Sequence, residues 1–302
     1  EVANAKSYVW TLPNGMSGSS TTNSISVDFA NDATSGEITV KAVNDCNETE
    51  VVKLAITVKP LIGAIGTISG NTTVCAGEKG ITYTIAEVAN AKSYVWTLPN
   101  GMSGSSTTNS ISVDFANGAQ SGEIAVKAVN DCNETDTVKL AVFVKPLIGT
   151  IGAIAGSDTI CAGSKAVTYS VEAVANAKSY VWTLPNGLSG SSTTNSISVD
   201  FANDAQSGEI AVKAVNDCNE TLVSKLLLTV IAKPVTPLIT RDVNILHSSA
   251  TQGNQWYNSK GLINGATDQN YTVIENEDYY VVVTINGCSS DKSNVIKVTN
   301  TS

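Results

Sequence analysis

The sequence EVANAKSYVWTLPNG occupies residues 1–15, occurs again from Glu87 and, without its first residue, returns from Val174. The copies keep one spacing, because 87 − 1 and 174 − 88 both give 86 residues. A constant period of this length indicates a tandem array of similar structural units.

The repeated stretch has the alternation of a β-strand. Tyr8, Trp10 and Leu12 fall on one side of an extended chain, and Val9 and Thr11 fall on the other. An Asn-Gly dipeptide follows in every copy and predicts a tight turn. The stretch therefore predicts a strand with one wet face, followed by a turn.

The rest of the repeat contains more short segments of the same kind. One complete copy has strand-like segments at 67–74, 81–86, 93–98, 109–115, 123–130 and 137–144. Six or seven short strands in one copy are typical of a β-sandwich of the immunoglobulin type. The sequence predicts an all-β protein, a tandem array of immunoglobulin-like (Ig-like) sandwiches.

The repeats also set the predicted domain boundaries. The first copy, residues 1–58, lacks the N-terminal third that the later copies have, so we expect a truncated repeat and a sequence that is a slice of a longer chain. Complete repeats follow at 59–144 and 145–232, and a divergent module occupies 233–302. Proline fixes φ, so the Lys-Pro pairs at 59–60, 145–146 and 233–234 predict short, stiff joints.

Composition argues against several classes of function. The formal charge is −9, from 18 Lys+Arg and 27 Asp+Glu, and Arg241 is the only arginine, which disfavours nucleic-acid binding. His247 is the only histidine, which leaves little for imidazole catalysis, and we expect it to be an ordinary strand residue and the chain not to be an enzyme. No apolar run approaches the length of a membrane span.

Three motifs carry a family resemblance. They are YVWTLPNG, TNSISVDF and GEI-x-VKAVNDC, which begin at Tyr8, Thr22 and Gly36 in the first copy. They resemble the PKD-like Ig-type repeats of large secreted and surface proteins of Bacteroidota. The final module, with its QWY and YYVVVTINGC motifs, is similar to Ig-like modules of the same proteins. The resemblance implies an extracellular protein, exported by the type IX secretion route, whose repeats space or present other parts.

The cysteines recur with the repeats and indicate disulfides, because no CxxC spacing suggests a metal site. One scheme pairs them within a repeat, Cys75 with Cys132 and Cys161 with Cys218. In an Ig-like strand order those positions tend toward opposite ends of the sandwich, which is too far for a bridge. The alternative scheme joins neighbouring domains, Cys75 with Cys218 and Cys161 with Cys288. Bonds within a domain are commoner, so the first scheme is preferred over the second and over a third possibility, free thiols or other pairings.

Aromatic residues raise the question of glycan binding. Each tryptophan alternates in phase with an apolar neighbour, which predicts a core residue on the third strand of its domain, at Trp10, Trp96, Trp182 and Trp256. A sugar platform would then come from the last module, with Trp256, Tyr257 and Tyr280 as candidates.

Acidic and amide side chains could in principle hold a structural Ca²⁺. The candidates are Asp28, Asn31, Asp32, Asn44 and Asp45, but glycine replaces the third of them in the second copy, at Gly118. Solvated turns explain these residues more simply, so we expect no cofactor.

These observations predict a non-catalytic repeat region that acts as a stalk, a spacer or an adhesive array. Its expected partners are the neighbouring domains of the same chain, and polysaccharide or cell-surface glycan. The alternative is a carbohydrate-binding accessory region of a secreted polysaccharide hydrolase.

Overall fold

The computed structural model of the chain describes residues 1–299. These residues form 27 β-strands joined by turns. No helix that could cross a membrane occurs in this part of the chain. The chain divides into two compact units, Glu1–Leu147 and Ile148–Ser302. The predicted all-β fold is confirmed.

The second repeat shows the complete sandwich. One sheet has the order β6-β12-β11-β8 and the other has the order β7-β10-β9. The strands are β6 (Thr73–Cys75), β7 (Ile81–Thr84), β8 (Ser93–Thr97), β9 (Met102–Ser103), β10 (Ser110–Phe115), β11 (Gly122–Val129) and β12 (Val138–Lys145). Every pairing is antiparallel except that of β6 with β12, which is parallel.

The core of the second repeat lies between its two sheets. Alternate residues of β11, such as Ile124 and Val126, point inward and meet Tyr83, Ile111 and Phe115 from the other sheet. All five side chains are buried. The period-two pattern of the sequence is thus the pattern of burial.

Residues 1–58, the first copy, form fewer strands than the second copy. Its strands are β1 (Ser7–Thr11), β2 (Met16–Ser17), β3 (Asp28–Phe29), β4 (Gly36–Val43) and β5 (Val52–Ile56). They form a three-stranded sheet, β1-β4-β5, and a two-stranded sheet, β2-β3.

The third repeat copies the second, with sheets β13-β19-β18-β15 and β14-β17-β16. Its strands are β13 (Thr159–Cys161), β14 (Val167–Ser170), β15 (Ser179–Thr183), β16 (Leu188–Ser189), β17 (Ser196–Phe201), β18 (Gly208–Val215) and β19 (Ser224–Ile231).

The last module is also built from two sheets, with its own core around Trp256, Tyr279 and Val281. Its strands are β20 (Ile239–Asp242), β21 (Ile245–Ser248), β22 (Asn254–Asn258), β23 (Gly261–Leu262), β24 (Asn270–Thr272), β25 (Asp278–Ile285), β26 (Cys288–Ser289) and β27 (Ile296–Lys297). One sheet has the order β20-β21-β24, and the other runs β23-β22-β25-β26 with β27 paired to β25. His247 lies on β21 as predicted, and its Nδ1 is 2.8 Å from Oδ1 of Asn270.

One predicted strand, 67–74, is divided in the structure. Ser69 bridges to Thr84 in one sheet, whereas β6 joins β12 in the other. Gly70 lies at the crossing, where an added Cβ would be only 2.3 Å from Cδ1 of the Tyr83 ring. The chain changes sheets here because a residue without a side chain can pass the buried ring.

Candidate functional site

The joint between the first and second repeats, residues 59–63, begins without a free linker residue. The backbone N–H of Val58 donates to Ser35 Oγ of the first repeat at 2.9 Å. The next residue, Lys59, already contacts the second repeat through an ion pair with Asp131, with Nζ and Oδ2 3.5 Å apart. No residue between these two anchors is left to act as a linker.

Three asparagines of the second repeat hold the rest of this joint. Asn130 donates its amide N–H to the Pro60 carbonyl at 3.0 Å, and Asn90 donates to the Leu61 carbonyl at 2.8 Å. The Asn133 side-chain oxygen accepts the N–H of Ile62 at 3.1 Å. Two of these asparagines belong to the turn that also carries Cys132. No pattern in the sequence assigned these asparagines a role, although the turn sequence NDCNET recurs at 44–49, 130–135 and 216–221 and was a signal that the whole turn matters.

Ion pairs also stabilise the joint between the first and second repeats. Asp131 accepts a hydrogen bond from the Lys92 ammonium at 2.8 Å and faces Lys59 on its other oxygen. The hydrogen bond and charge of Lys92, followed by the charge of Lys59, lower the pKa of Asp131 below its ordinary value of 3.8. The carboxylate therefore stays ionised well into the acid range and links the joint to the second repeat.

The joint between the third repeat and the last module is closed covalently. Cys161, at the end of β13, forms a disulfide with Cys288 on β26, with a Cα–Cα distance of 5.6 Å. Beside it, Lys233 makes an ion pair with Asp291 at 2.7 Å. The lysine side chain is only a quarter exposed, so the stem packs against protein while the ammonium meets its partner.

The preferred pairing within a repeat was wrong. Cys161 is bonded to Cys288 and not to Cys218, and Cys132 is a free thiol. The reason is geometric. Cys75 pairs in register with Lys145 at the end of β12, whereas Cys132 precedes the start of that strand at Val138. Val138 and Lys145 are seven residues apart on an extended strand, a distance of roughly 23 Å. Cys75, at one end, and Cys132, before the other, are therefore far beyond the reach of a disulfide.

The remaining cysteines divide into two classes. Cys75 and Cys218 are disulfide-bonded, whereas Cys46 and Cys132 are free and exposed. Pairing of Cys75 with Cys218 stays a prediction of the inter-domain scheme. Mapping of peptides without reduction tests it directly.

The tryptophans differ between the repeats and the last module. Trp256 is fully buried and stacks on Tyr271 at 5.8 Å between ring centroids. The repeat tryptophans Trp10, Trp96 and Trp182 are half-buried. Each donates its indole N–H to the carbonyl of a threonine 12 residues later, at 2.9–3.0 Å. A completely buried Trp256 cannot offer its face to a sugar ring, so it is removed from the glycan candidates.

The other two glycan candidates do lie together. Tyr257 and Tyr280 are opposite each other on β22 and β25, with ring centroids 5.0 Å apart and planes within 3°. Both are half-buried, and the Lys292 ammonium lies 5.8 Å from the centre of the Tyr280 ring. The pair forms a small aromatic surface on the last module.

Two of the five suggested calcium ligands, Asn44 and Asp45, already have partners within the protein. The Asn44 side-chain oxygen accepts the N–H groups of Cys46 and Asn47, and Asp45 pairs with Lys6. Between residues 1 and 299, no three Asp, Glu, Cys or His side chains are placed to hold a metal ion. That the protein works without a cofactor stays a prediction.

One family model matches three separate segments of the chain, one in each repeat. A family model described as the PKD-like domain matches residues 1–56, 62–142 and 147–228, which together make up more than half of the chain. The chain belongs to the PKD-like domain family. Its three matched segments lie within the three copies found in the sequence. A search of curated proteins found no match.

Solved structures similar to this PKD-like chain include arrays of Ig domains. An I-band fragment of titin is 13% identical and covers 76% of this chain and 98% of its own, with a TM-score of 0.43. The N-terminal eight Ig domains of Down syndrome cell adhesion molecule are 16% identical over 97% of this chain and 45% of theirs, with a TM-score of 0.41. The Escherichia coli adhesin FdeC is 14% identical over 76% and 86%, with a TM-score of 0.33.

Proposed function

We propose that these PKD-like repeats form a non-catalytic region of an extracellular bacterial surface protein, acting as a stalk or an adhesive array. The observation that carries the proposal is the first joint, where Val58 is anchored to one repeat and Lys59 to the next. A joint whose residues are bonded to one repeat or to the next restricts how far the two domains can reorient, as a spacer requires. In this proposal the parent protein belongs to Bacteroidota and leaves the cell by the type IX route.

The cysteines support an extracellular location. Disulfides persist in oxidising compartments and are rare in the cytosol, and the Cys161–Cys288 bond closes a joint between domains. A covalent bond at a joint also holds the two domains close to one arrangement.

The first joint can be tested with the native thiols. Cys46 and Cys132 are free, exposed and in successive repeats, so spin labels on both report the distance between the repeats without any substitution. We expect one narrow distance distribution. The variant Ser35→Ala with Pro60→Gly removes the anchor on Val58 and the fixed φ of the joint, and its distribution should broaden. A native distribution already as broad as that of the variant would contradict the stalk.

A second function is supported by the stacked Tyr257–Tyr280 pair. Aromatic faces bind sugar rings, and this pair is half-exposed on the last module. In this alternative the chain is a carbohydrate-binding accessory region of a secreted polysaccharide hydrolase. It predicts saturable binding to a panel of soluble and insoluble polysaccharides that is lost in Tyr257→Ala with Tyr280→Ala. Ile274→Ala, a change at a side chain 73% exposed in the same module, is the matched control. No binding to any member of the panel would remove this function.

A further inference from the structure

The stacked pair Tyr257–Tyr280 stands on the outward face of its sheet. The residues next to it on the two strands, Trp256 and Tyr279, are fully buried in the core of the last module. Successive side chains of a strand point to opposite faces, so the pair points away from that core. Tyr280 packs partly against the core, and both rings keep part of their surface in solvent. A ligand can therefore reach the pair from outside.

The hydroxyl groups of this pair differ from those of the structural tyrosines. Tyr83 and Tyr279 each donate their hydroxyl to a backbone carbonyl at 2.9 Å. The tyrosine of the repeated YVW motif accepts a backbone N–H at 2.8 Å in every copy. Among residues 1–299, the hydroxyls of Tyr257 and Tyr280 have no such partner. Each is free to donate and to accept a hydrogen bond with a ligand.

Two unpaired cations lie on the same face. The Lys292 ammonium is 5.8 Å from the centre of the Tyr280 ring. Lys297 lies opposite Asp278, two positions from Tyr280 on the same side of β25. Most lysines of the chain form ion pairs with Asp or Glu, but in the described residues Lys292 and Lys297 do not. In a chain with a formal charge of −9, two ammonium groups beside one carboxylate make this face locally positive.

The contact with the ring holds Lys292 in place without using its donors. A cation is attracted to the face of an aromatic ring by the ring quadrupole, whereas the N–H groups of the ammonium stay available for hydrogen bonds. Hydrogen bonds between two charged groups are roughly twice as strong as neutral ones. The best acceptor for Lys292 is therefore an anionic oxygen, from a carboxylate or a sulfate.

A sugar that carries such an anion matches the whole arrangement. Its C–H groups pack on aromatic rings, its hydroxyls exchange hydrogen bonds with the phenol groups, and its anion meets the ammonium. We propose that Tyr257, Tyr280 and Lys292 form a binding site for an anionic glycan, one with carboxylate or sulfate groups. This inference rests on the carbohydrate-binding alternative given above and specifies its ligand class. Lys297 adds to the positive potential of the site.

The test compares glycans that differ chiefly in charge. The intact chain is titrated with polygalacturonate and with its methyl ester, and separately with dextran sulfate and with dextran, by isothermal titration calorimetry. We expect the anionic member of at least one pair to bind about tenfold more tightly than the neutral member. The advantage should shrink as the salt concentration rises. The pair that shows it identifies carboxylate or sulfate as the anion.

Two variants separate the charge from the rings. Lys292→Gln should lower the affinity for the anionic glycan to that for the neutral one, because it removes the charge and keeps a polar side chain. Lys79→Gln, at an exposed lysine of the second repeat, is the matched control and should change nothing. Tyr257→Phe with Tyr280→Phe keeps both rings and should weaken the binding of every glycan by removing the hydroxyls.

The outcomes distinguish this inference from the function on which it rests. Equal binding of charged and neutral glycans, or an affinity that Lys292→Gln or the phenylalanine variant leaves unchanged, would overturn the inference and leave the carbohydrate-binding function standing. Binding of none of the polysaccharides would overturn both. Polyglutamate that binds as tightly as the anionic glycans would show a site for charge alone and overturn the assignment of a sugar.

Discussion

Removing the Cys161–Cys288 bond should loosen the last module and leave the second repeat unchanged. The perturbation is the double substitution Cys161→Ser with Cys288→Ser, which keeps both side chains small and adds no thiol. In the native chain the last module is held at two places, where the backbone leaves β19 and where Cys288 meets Cys161. When this module alone unfolds, its chain is therefore a closed loop.

The size of that loop sets the magnitude of the effect. It runs from Ala232 to Cys288, about 57 residues, and the chain-entropy estimate for closing such a loop is about 4 kcal/mol. The native geometry has a Cα–Cα distance of 5.6 Å, within the ordinary range for disulfides. The variant should lower the free energy of opening of the last module by about 2–4 kcal/mol.

Hydrogen exchange measures this opening strand by strand. The amides of β25 report on the last module, and those of β11 report on the second repeat in the same sample. We expect faster exchange in β25 and no change in β11. Cys46→Ser, at a free and exposed cysteine, is the control for loss of sulfur. Unchanged exchange in β25, or an equal loss in both strands, would refute the reasoning that the bond acts locally on this joint.

Two further predictions concern the second repeat. Gly101→Ala should destabilise this repeat by about 2 kcal/mol or more in denaturant unfolding. Gly101 has a φ of 81°, and an added Cβ would lie 2.7 Å from Cα of Ala119. Gly118→Ala is the matched control and should be nearly neutral, because nothing lies within 4 Å of an added Cβ there. Asp131 has a folded-state pKa below 3.8, chiefly because of Lys92, so its contribution to stability is present above pH 3.8 and is lost as the pH falls through the lowered pKa. The stability difference between native protein and Asp131→Asn should therefore shrink between pH 6 and pH 2.5, and a difference that does not change with pH would exclude this role.

The alternation of apolar residues was enough to predict the fold. Tyr94 and Ile124 point inward and Val95 points outward because strand geometry fixes the faces by parity, which depends only on the local sequence. The division of segment 67–74 depends on a contact between Gly70 and the distant Tyr83 ring. No local pattern contains that contact.

The cysteine pairing and the joint were harder to predict. Which end of β12 lies near Cys75 depends on the parallel pairing of β6, a long-range feature. The role of Asn130 and Asn133 depends on carbonyl and N–H groups of residues 70 positions earlier or more. Sequence spacing identified the turn as a repeated unit, but only the folded chain shows what the turn holds.

The Cys161–Cys288 bond also limits how far a stretched chain can extend. While the bond is intact, a pull on the chain cannot separate Cys161 from Cys288, so the segment between them cannot extend to its full length. The cysteines are 127 positions apart, which at about 3.5 Å per extended residue withholds roughly 440 Å of length. Reduction would release that length, so the redox state of the surroundings would set how far this segment extends before it breaks.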